Sequence, residues 1–235
     1  MIKNYRKTKI LATIGPSSEK ITKIEKLILS GVDAFRINCS HITDFQFKNY
    51  IENIRKVEKK LKKPIGILID LQGPKLRIGE IENNITLKRG QKLLLINNKK
   101  SSKPNEVPLP EEKVFKSVRV NHPVFIDDGK IKLKVLKISK NIIEARVILE
   151  GTLISKKGIN LPETVLKSSA LTYSDKKNVK AGIKLGIDWI ALSFIQSPED
   201  IKYLRKICKK NISIMAKIER PLALKYIDKI TELAD

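Results

Sequence analysis

Short, nearly unbroken apolar runs alternate with segments whose apolar residues recur every three or four positions, and this rhythm constrains the fold more than any other feature of the sequence. Strands that are apolar on both faces belong in parallel sheets covered by helices, so repeated β-α units predict a parallel sheet or a β/α barrel. The first unit has an apolar run from Lys9 to Ile14, stopped by Gly15-Pro16. Ser17 or Ser18 then caps a helix carrying Ile21, Ile24, Leu27 and Ile28 on one face and ending at Gly31. The second has Ala34 to Asn38 as its strand, then a helix from about Thr43 to Lys62 with Phe47, Ile51, Ile54 and Leu61 on one face, ended by Pro64. Ile65 to Asp70 is the third strand.

At about Leu76 the period drops to two. Ile131, Leu133 and Val135 alternate with lysines, and Ile143, Ala145, Val147 and Leu149 repeat the pattern after a Lys140-Asn141 turn, with Asp128-Gly129 a second turn signal. Residues 76–161 therefore read as a small antiparallel β domain inserted into the β/α one. After Pro162 the first rhythm resumes. It gives a helix over about Ser174 to Leu185, a strand from Asp188 to Phe194, a helix opening at Ser197-Pro198, a strand from Ile212 to Ile218, and a helix opened by Pro221 with Ala223, Ile227, Ile230 and Ala234 on one face. The expected fold is α/β, a partial (β/α) TIM-type barrel of about five of eight strands, with residues 1–75 and 162–235 forming the barrel part. A complete eight-stranded barrel usually needs about 250 residues before any insertion.

With 235 residues, 41% of them apolar, the chain has ample material for a buried core. No apolar stretch approaches the roughly 20 residues that cross a bilayer, and the N-terminal apolar run is too short for a signal peptide. Cys39 and Cys208 match no metal-binding spacing, read as small buried hydrophobes, and fit a reduced, cytoplasmic setting; Trp189 reads as a core anchor. Lys plus Arg number 48 against 25 Asp plus Glu, a net charge of +23, which raises the question of a nucleic-acid partner. Only nine of these are arginines, the lysines are scattered through nearly every segment, and aromatic residues make up 5%. No basic block interleaved with stacking residues results, so no nucleic acid is expected. The field still attracts a phosphate-rich small molecule.

In β/α barrels the chemistry gathers at the C-terminal ends of the strands. Here the second strand runs into Arg36-Ile37-Asn38-Cys39-Ser40-His41, the third into Asp70-Leu71-Gln72-Gly73-Pro74-Lys75-Leu76-Arg77, the fourth into Ser193, and the fifth into Lys217-Ile218-Glu219. If these strands are neighbours, one rim collects fixed cations, a carboxylate suited to a hard divalent metal and small oxygen ligands, as phosphoryl transfer requires. Each residue has a plainer reading. An Arg or Lys at one strand end makes a surface ion pair, Asn38 and Ser40 close a turn, Asp70 caps the following segment, and His122 is structural. The recurrence at successive strand ends is what favours a single site.

The segments KTKILATIGPSS, FRINCSH, ILIDLQGPKLRIG, FIDDGKI, KKGINLP, LSFI and IMAKIER follow in the order and approximate spacing of pyruvate kinases, and the chain resembles that family over essentially its whole length. The resemblance implies a barrel domain interrupted by a β-barrel lid, and transfer of a phosphoryl group from phosphoenolpyruvate to ADP with Mg2+, giving ATP and pyruvate. It implies that Arg36, Lys217 and Ser193 meet the substrate, Arg36 and Lys217 being catalytic, and that Glu219 holds Mg2+. Asn38, Ser40, Asp70 and Leu71 would form a monovalent-cation site, and Asn38, His41, Arg77 and Lys157 nucleotide-binding positions. Most familiar members have a glutamate at the position of Lys75 and use K+; DLQGPKLR is similar to the variant that works without it, since an ammonium supplies the charge the ion would bring. Family members are usually homo-oligomers and roughly twice this length, and the sequence stops before the GDLG-type segment with the second Mg2+ carboxylate. The expectation is therefore an N-terminal part of a pyruvate kinase with little or no activity alone; a related alternative is that a second polypeptide supplies the missing strands. Strands one and five of the chain would be open edges. The alternatives are a catalytically silent subunit and a basic binding module derived from the family.

Overall fold

The computed structural model describes residues 6–40, 42–166, 169–208 and 212–235. The chain divides into two compact units, Met1–Pro74 with Ser169–Asp235, and Lys75–Ser168.

The first unit is built on five parallel strands, β1 (Leu11–Thr13), β2 (Ala34–Asn38), β3 (Gly66–Asp70), β4 (Trp189–Leu192) and β5 (Ser213–Ala216). They lie side by side in sequence order. Each crossover steps to the next strand in the same direction, as in a β/α barrel; a doubly wound sheet would reverse. Among the described residues six helices accompany them: α1 (Ile21–Leu29), α2 (Asp44–Leu61), α3 (Tyr173–Leu185), α4 (Pro198–Cys208), α5 (Pro221–Leu224) and α6 (Ile227–Leu233).

Strand alternation decides which residues meet the helices. Phe35, Ile37, Ile67, Ile69, Ile190, Leu192 and Ile214 are fully buried in one core with Ile24, Ile28, Ile51, Ile54, Val179 and Leu204 of the helices. Residues two apart on a strand share a face, so Arg36 and Asn38, Leu68 and Asp70, Ala191 and Ser193, and Met215 and Lys217 all belong to the face turned away from the helices. The register sets Asp70 level with Asn38 and Ala191, and Ala191 level with Met215. Arg36 starts one pleat before Asp70, and Ser193 and Lys217 one pleat beyond it.

Several local expectations hold and some need correction. Thr43 caps α2 in a reciprocal capping box with Gln46. Arg55 of α2 then ties the opposite end of the sheet together, bonding the carbonyls of Ile65 and Gly186 and the carboxylates of Glu58 and Asp188. Ser18 does not cap α1. Its hydroxyl accepts the Gly15 amide at 3.0 Å and closes the turn around Pro16, so the helix starts only after Lys20 and without a side-chain cap. The single helix expected after Pro221 is two helices, because at Lys225 and Tyr226 the backbone tightens to three-residue hydrogen bonds onto Leu222 and Ala223. Trp189 opens β4 half-buried and is not a core anchor.

The second unit has its own core, with Leu95, Leu109, Val124, Ile126, Leu133, Val135, Ile143 and Ala145 fully buried. Its main sheet has seven strands in the order Leu76–Arg77, Gly158–Asn160, Pro123–Ile126, Ile131–Ser139, Ile142–Leu149, Lys92–Ile96 and Glu106–Pro108. Both expected turns are present: Lys140-Asn141 joins Ser139 to its partner Ile142, and Asp127, Asp128 and Gly129 all take positive φ. The sheet is not wholly antiparallel. Lys92–Ile96 pairs in parallel with Glu106–Pro108, since residues 97–105 leave the sheet to place Lys100–Ser101 beside Glu80–Ile81. Leu161 and Leu166 stay in this core, and Thr164 Oγ1 lies 2.9 Å from His122 Nδ1, which also accepts the Arg119 amide. His122 is thus structural, as its position before Pro123 suggests. No helix among the described residues is long and apolar enough to cross a membrane.

Candidate active site

The polar face of the barrel unit closes over Asp70. Its side chain is only 7% exposed, and two cations from strands that are not neighbours meet on it. Arg36, on β2, places Nε at 2.9 Å and Nη2 at 2.6 Å from Oδ2, while its Nη1 reaches Thr13 Oγ1 of β1 at 3.1 Å. Lys217, just past β5, puts Nζ at 3.0 Å from Oδ1. Sheet curl explains the meeting: side chains on the concave face converge, so groups two and three strands apart come within reach.

Ser193 and Glu219 complete the cluster. Ser193 Oγ lies 2.6 Å from the Leu71 carbonyl and 3.4 Å from Asp70 Oδ1. A hydroxyl has one proton, and the shorter contact assigns it to Leu71, leaving the oxygen to accept Lys217 Nζ at 2.9 Å. Lys217 spends its third N–H on Glu219 Oε1 at 3.2 Å, and Glu219 Oε2 accepts the Phe194 amide at 3.0 Å. Two cations and two carboxylates therefore form a neutral cluster. Arg36, Lys217 and Glu219 are each about one-third exposed.

Buried Cys39 lies beside this cluster, and its thiol is pushed up to about 12, chiefly by burial; the charges of Asp175 and Asp70 add to the shift and Arg36 opposes it. It is held protonated and unreactive.

The other expected residues fall as follows. Asn38 Oδ1 accepts the Ser40 amide at 3.0 Å, the turn-closing geometry that was the plainer reading of this pair. His41 lies outside the described residues. Arg77 and Lys157 belong to the second unit, where Arg77 Nη1 donates to the Lys156 carbonyl and Lys157 pairs with Asp127 at 2.9 Å. The hydrogen bond from Lys157 lowers the Asp127 carboxyl. Lys75 is in the same unit, its stem so close to Gly158 that a Cβ there would come within 3.2 Å of Lys75 Cε.

Asp175 and Arg220 are not among the residues singled out by the sequence, where Gly73 and Phe194 figure only at the ends of segments. Asp175, 1% exposed, accepts Thr172 N and Oγ1 at the start of α3, and also the amides of Gln72 at 3.1 Å and Gly73 at 3.4 Å. It thereby fastens the loop that follows Asp70. Thr172 three residues before Asp175 is a capping-box signal that could have found the helix start, though not the loop contact. Gly73 has φ +64, and a Cβ on it would meet Phe194 Cδ2 at 2.9 Å.

The family model described as the barrel domain of pyruvate kinase matches residues 5–235. The chain belongs to the pyruvate kinase family. It is 41% identical over 235 residues to a pyruvate kinase of Methylorubrum extorquens, covering all of this chain and 49% of that protein. To one from Agrobacterium vitis it is 39% identical, covering all of this chain and 50% of the relative. To one from Staphylococcus aureus strain MRSA252 it is 36% identical, covering 98% of this chain and 40% of the relative. The chain thus spans about half the length of the curated pyruvate kinases it matches, or less.

Among the described residues no group of three or more His, Cys, Asp or Glu side chains is arranged to hold a metal by itself. Glu219 does offer one hard carboxylate at the rim, and Mg2+ is commonly held by one or two carboxylates plus substrate oxygens, so the donor present fits that ion. The monovalent-cation set is more committed. Asp70 already carries Arg36 and Lys217, Leu71 O carries Ser193, and Asn38 Oδ1 carries Ser40 N.

Proposed function

We propose that this chain serves phosphoryl transfer from phosphoenolpyruvate to ADP, giving ATP and pyruvate, in the cytoplasm. The observation that supports it most is the meeting of Arg36 and Lys217 on buried Asp70 beside Glu219. A guanidinium has five N–H donors, and Arg36 directs three of them to Asp70 and Thr13, so two remain for a phosphate or carboxylate of the substrate. All three donors of Lys217 are used, and its contact with Glu219 is the longest. Release of that contact frees an N–H for a phosphoryl oxygen, where a fixed cation neutralises charge that develops during transfer. Asp70 holds both cations in place without neutralising them fully. Glu219 would hold Mg2+, which when bound supplies Lewis-acid stabilisation of the phosphoryl oxygens. Arg77 and Lys157 would contribute to nucleotide binding.

Lys75 and the commitment of Asp70 support activity without K+. Pyruvate formation measured in a tetramethylammonium buffer should therefore respond little to added K+. The primary test is pyruvate formation by the purified chain with phosphoenolpyruvate, ADP and Mg2+. Turnover by the chain alone should be more than tenfold below that of an ordinary kinase, should require all three, and should disappear in Lys217→Met. Binding of phosphoenolpyruvate with no turnover would replace this reading with that of a catalytically silent subunit.

A further inference from the structure

Phe194 occupies a backbone conformation that its side chain disfavours. Its φ is +56, in the left-handed region where a bulky residue is a true outlier. Such strain persists where the surroundings over-determine it, commonly at functional sites. Three contacts do so here. The Phe194 amide donates to Glu219 Oε2 at 3.0 Å, one edge of the ring fills the space left open by Gly73, and the guanidinium of Arg220 lies 5.5 Å from the ring centroid. Arg220 follows Glu219 directly in sequence, and its Nε is buried with no hydrogen-bond partner among the described residues. Asp200, the other acid whose charge reaches it, has its carboxylate committed to the amides of Ala170, Gln196 and Ser197. A buried donor without a partner costs free energy, so the cation–π contact with Phe194 helps offset that cost.

We infer that Arg220 is a positioning residue that holds the carboxylate of Glu219 in place through Phe194. Its plane clamps the ring against Gly73, the clamped ring keeps Phe194 in the left-handed conformation, and that conformation aims the Phe194 N–H at Glu219. The brace links the loops after β3, β4 and β5; Asp70 ends the first of these strands, and Ser193 and Lys217 open the other two loops. A planar guanidinium suits this role and an ammonium does not, since only the former stacks. The consequence for metal binding rests on the reading of Glu219 given above; the brace itself does not.

Amide hydrogen exchange of the 15N-labelled full chain separates the two. The Phe194 amide should exchange slowly in the wild type and at least tenfold faster in Arg220→Ala, Arg220→Met, Phe194→Leu and Glu219→Ala, with Arg220→Lys between. The amides of Leu71 and Lys217, bonded to the carbonyls of Ala191 and Leu192, serve as internal controls and should keep their rates. A Phe194 rate within twofold of wild type in Arg220→Met, with the controls intact, overturns the inference. So does loss of the control amides in both Arg220→Ala and Arg220→Met, which would make Arg220 a general stabilising residue. Titration with Mn2+ supplies the second arm, and Arg220→Met should weaken binding at least threefold. Failure of the wild type to bind Mn2+ counts against Glu219 as a metal carboxylate and leaves the amide rates to decide on Arg220.

Discussion

Replacing Asp70 by Asn keeps the shape of the side chain and removes its charge, which tests whether one buried carboxylate organises the cluster. Arg36 makes two bonds to Oδ2 and Lys217 one to Oδ1, so the amide oxygen should face Arg36. Its NH2 then falls 3.0 Å from the Lys217 ammonium, donor against donor. Breaking a buried pair by removing one partner costs about 3–5 kcal/mol, and hydrogen bonds to charged groups are worth about 1.5–3 kcal/mol each. Both cations are 31% exposed, so water offsets part of the loss, and both Arg36 contacts survive on the amide oxygen, weakened by the loss of its charge. About 2–4 kcal/mol of destabilisation remains. At a urea slope of about 2 kcal/mol/M this lowers the midpoint by about 1–2 M. Trp189, the only tryptophan, opens β4 beside β3, so its fluorescence follows the barrel unit. A cycle with Lys217→Met should show coupling of at least about 1 kcal/mol. A midpoint shift below about 0.3 M, or additivity of the two substitutions, would refute the shared-carboxylate account.

Gly73→Ala combines a left-handed φ with a Cβ 2.9 Å from the Phe194 ring, so it should cost about 2–4 kcal/mol in the same unfolding assay, against about 0.5 kcal/mol or less for an ordinary surface change. Asp175→Ala strands four donors and should cost more than the roughly 1 kcal/mol typical of a lost helix cap, with faster amide exchange at Gln72 and Gly73 than at Leu71. Burial holds the Cys39 thiol near 12 against an ordinary value of 9.0, so at pH 8 its labelling by iodoacetamide should be about a thousandfold slower than in urea. Because the folded value is raised, the stability Cys39 contributes is complete below pH 9 and is lost as pH rises toward 12. A rate in the native protein within tenfold of the unfolded one would contradict that burial.

The β-α rhythm, the change to a two-residue period near Leu76 and the polar residues at strand ends were all legible in the letters, because periodicity reports which side of a strand or helix is buried. So was the start of the second helix at about Thr43, where the structure shows a capping box with Gln46. Ser18 misled because one side chain can close a turn at Gly15 or cap a helix, and nothing nearby chooses between them. The break at Tyr226 escaped notice because Ala223 and Ile230 keep helical spacing across it.

By itself, then, the sequence determined the repeated β-α units, hence a parallel sheet, with Arg36, Asp70, Ser193 and Lys217 at or near strand ends, since periodicity along a segment is a local property. Only the tertiary structure decided that Arg36 and Lys217 share a single carboxylate, that Asp175 reaches back to the loop at Gly73, and that the Arg220 guanidinium lies over the Phe194 ring. Those contacts join residues up to 147 positions apart, and they depend on the curl of the sheet and the path of its loops, which no short window of sequence encodes.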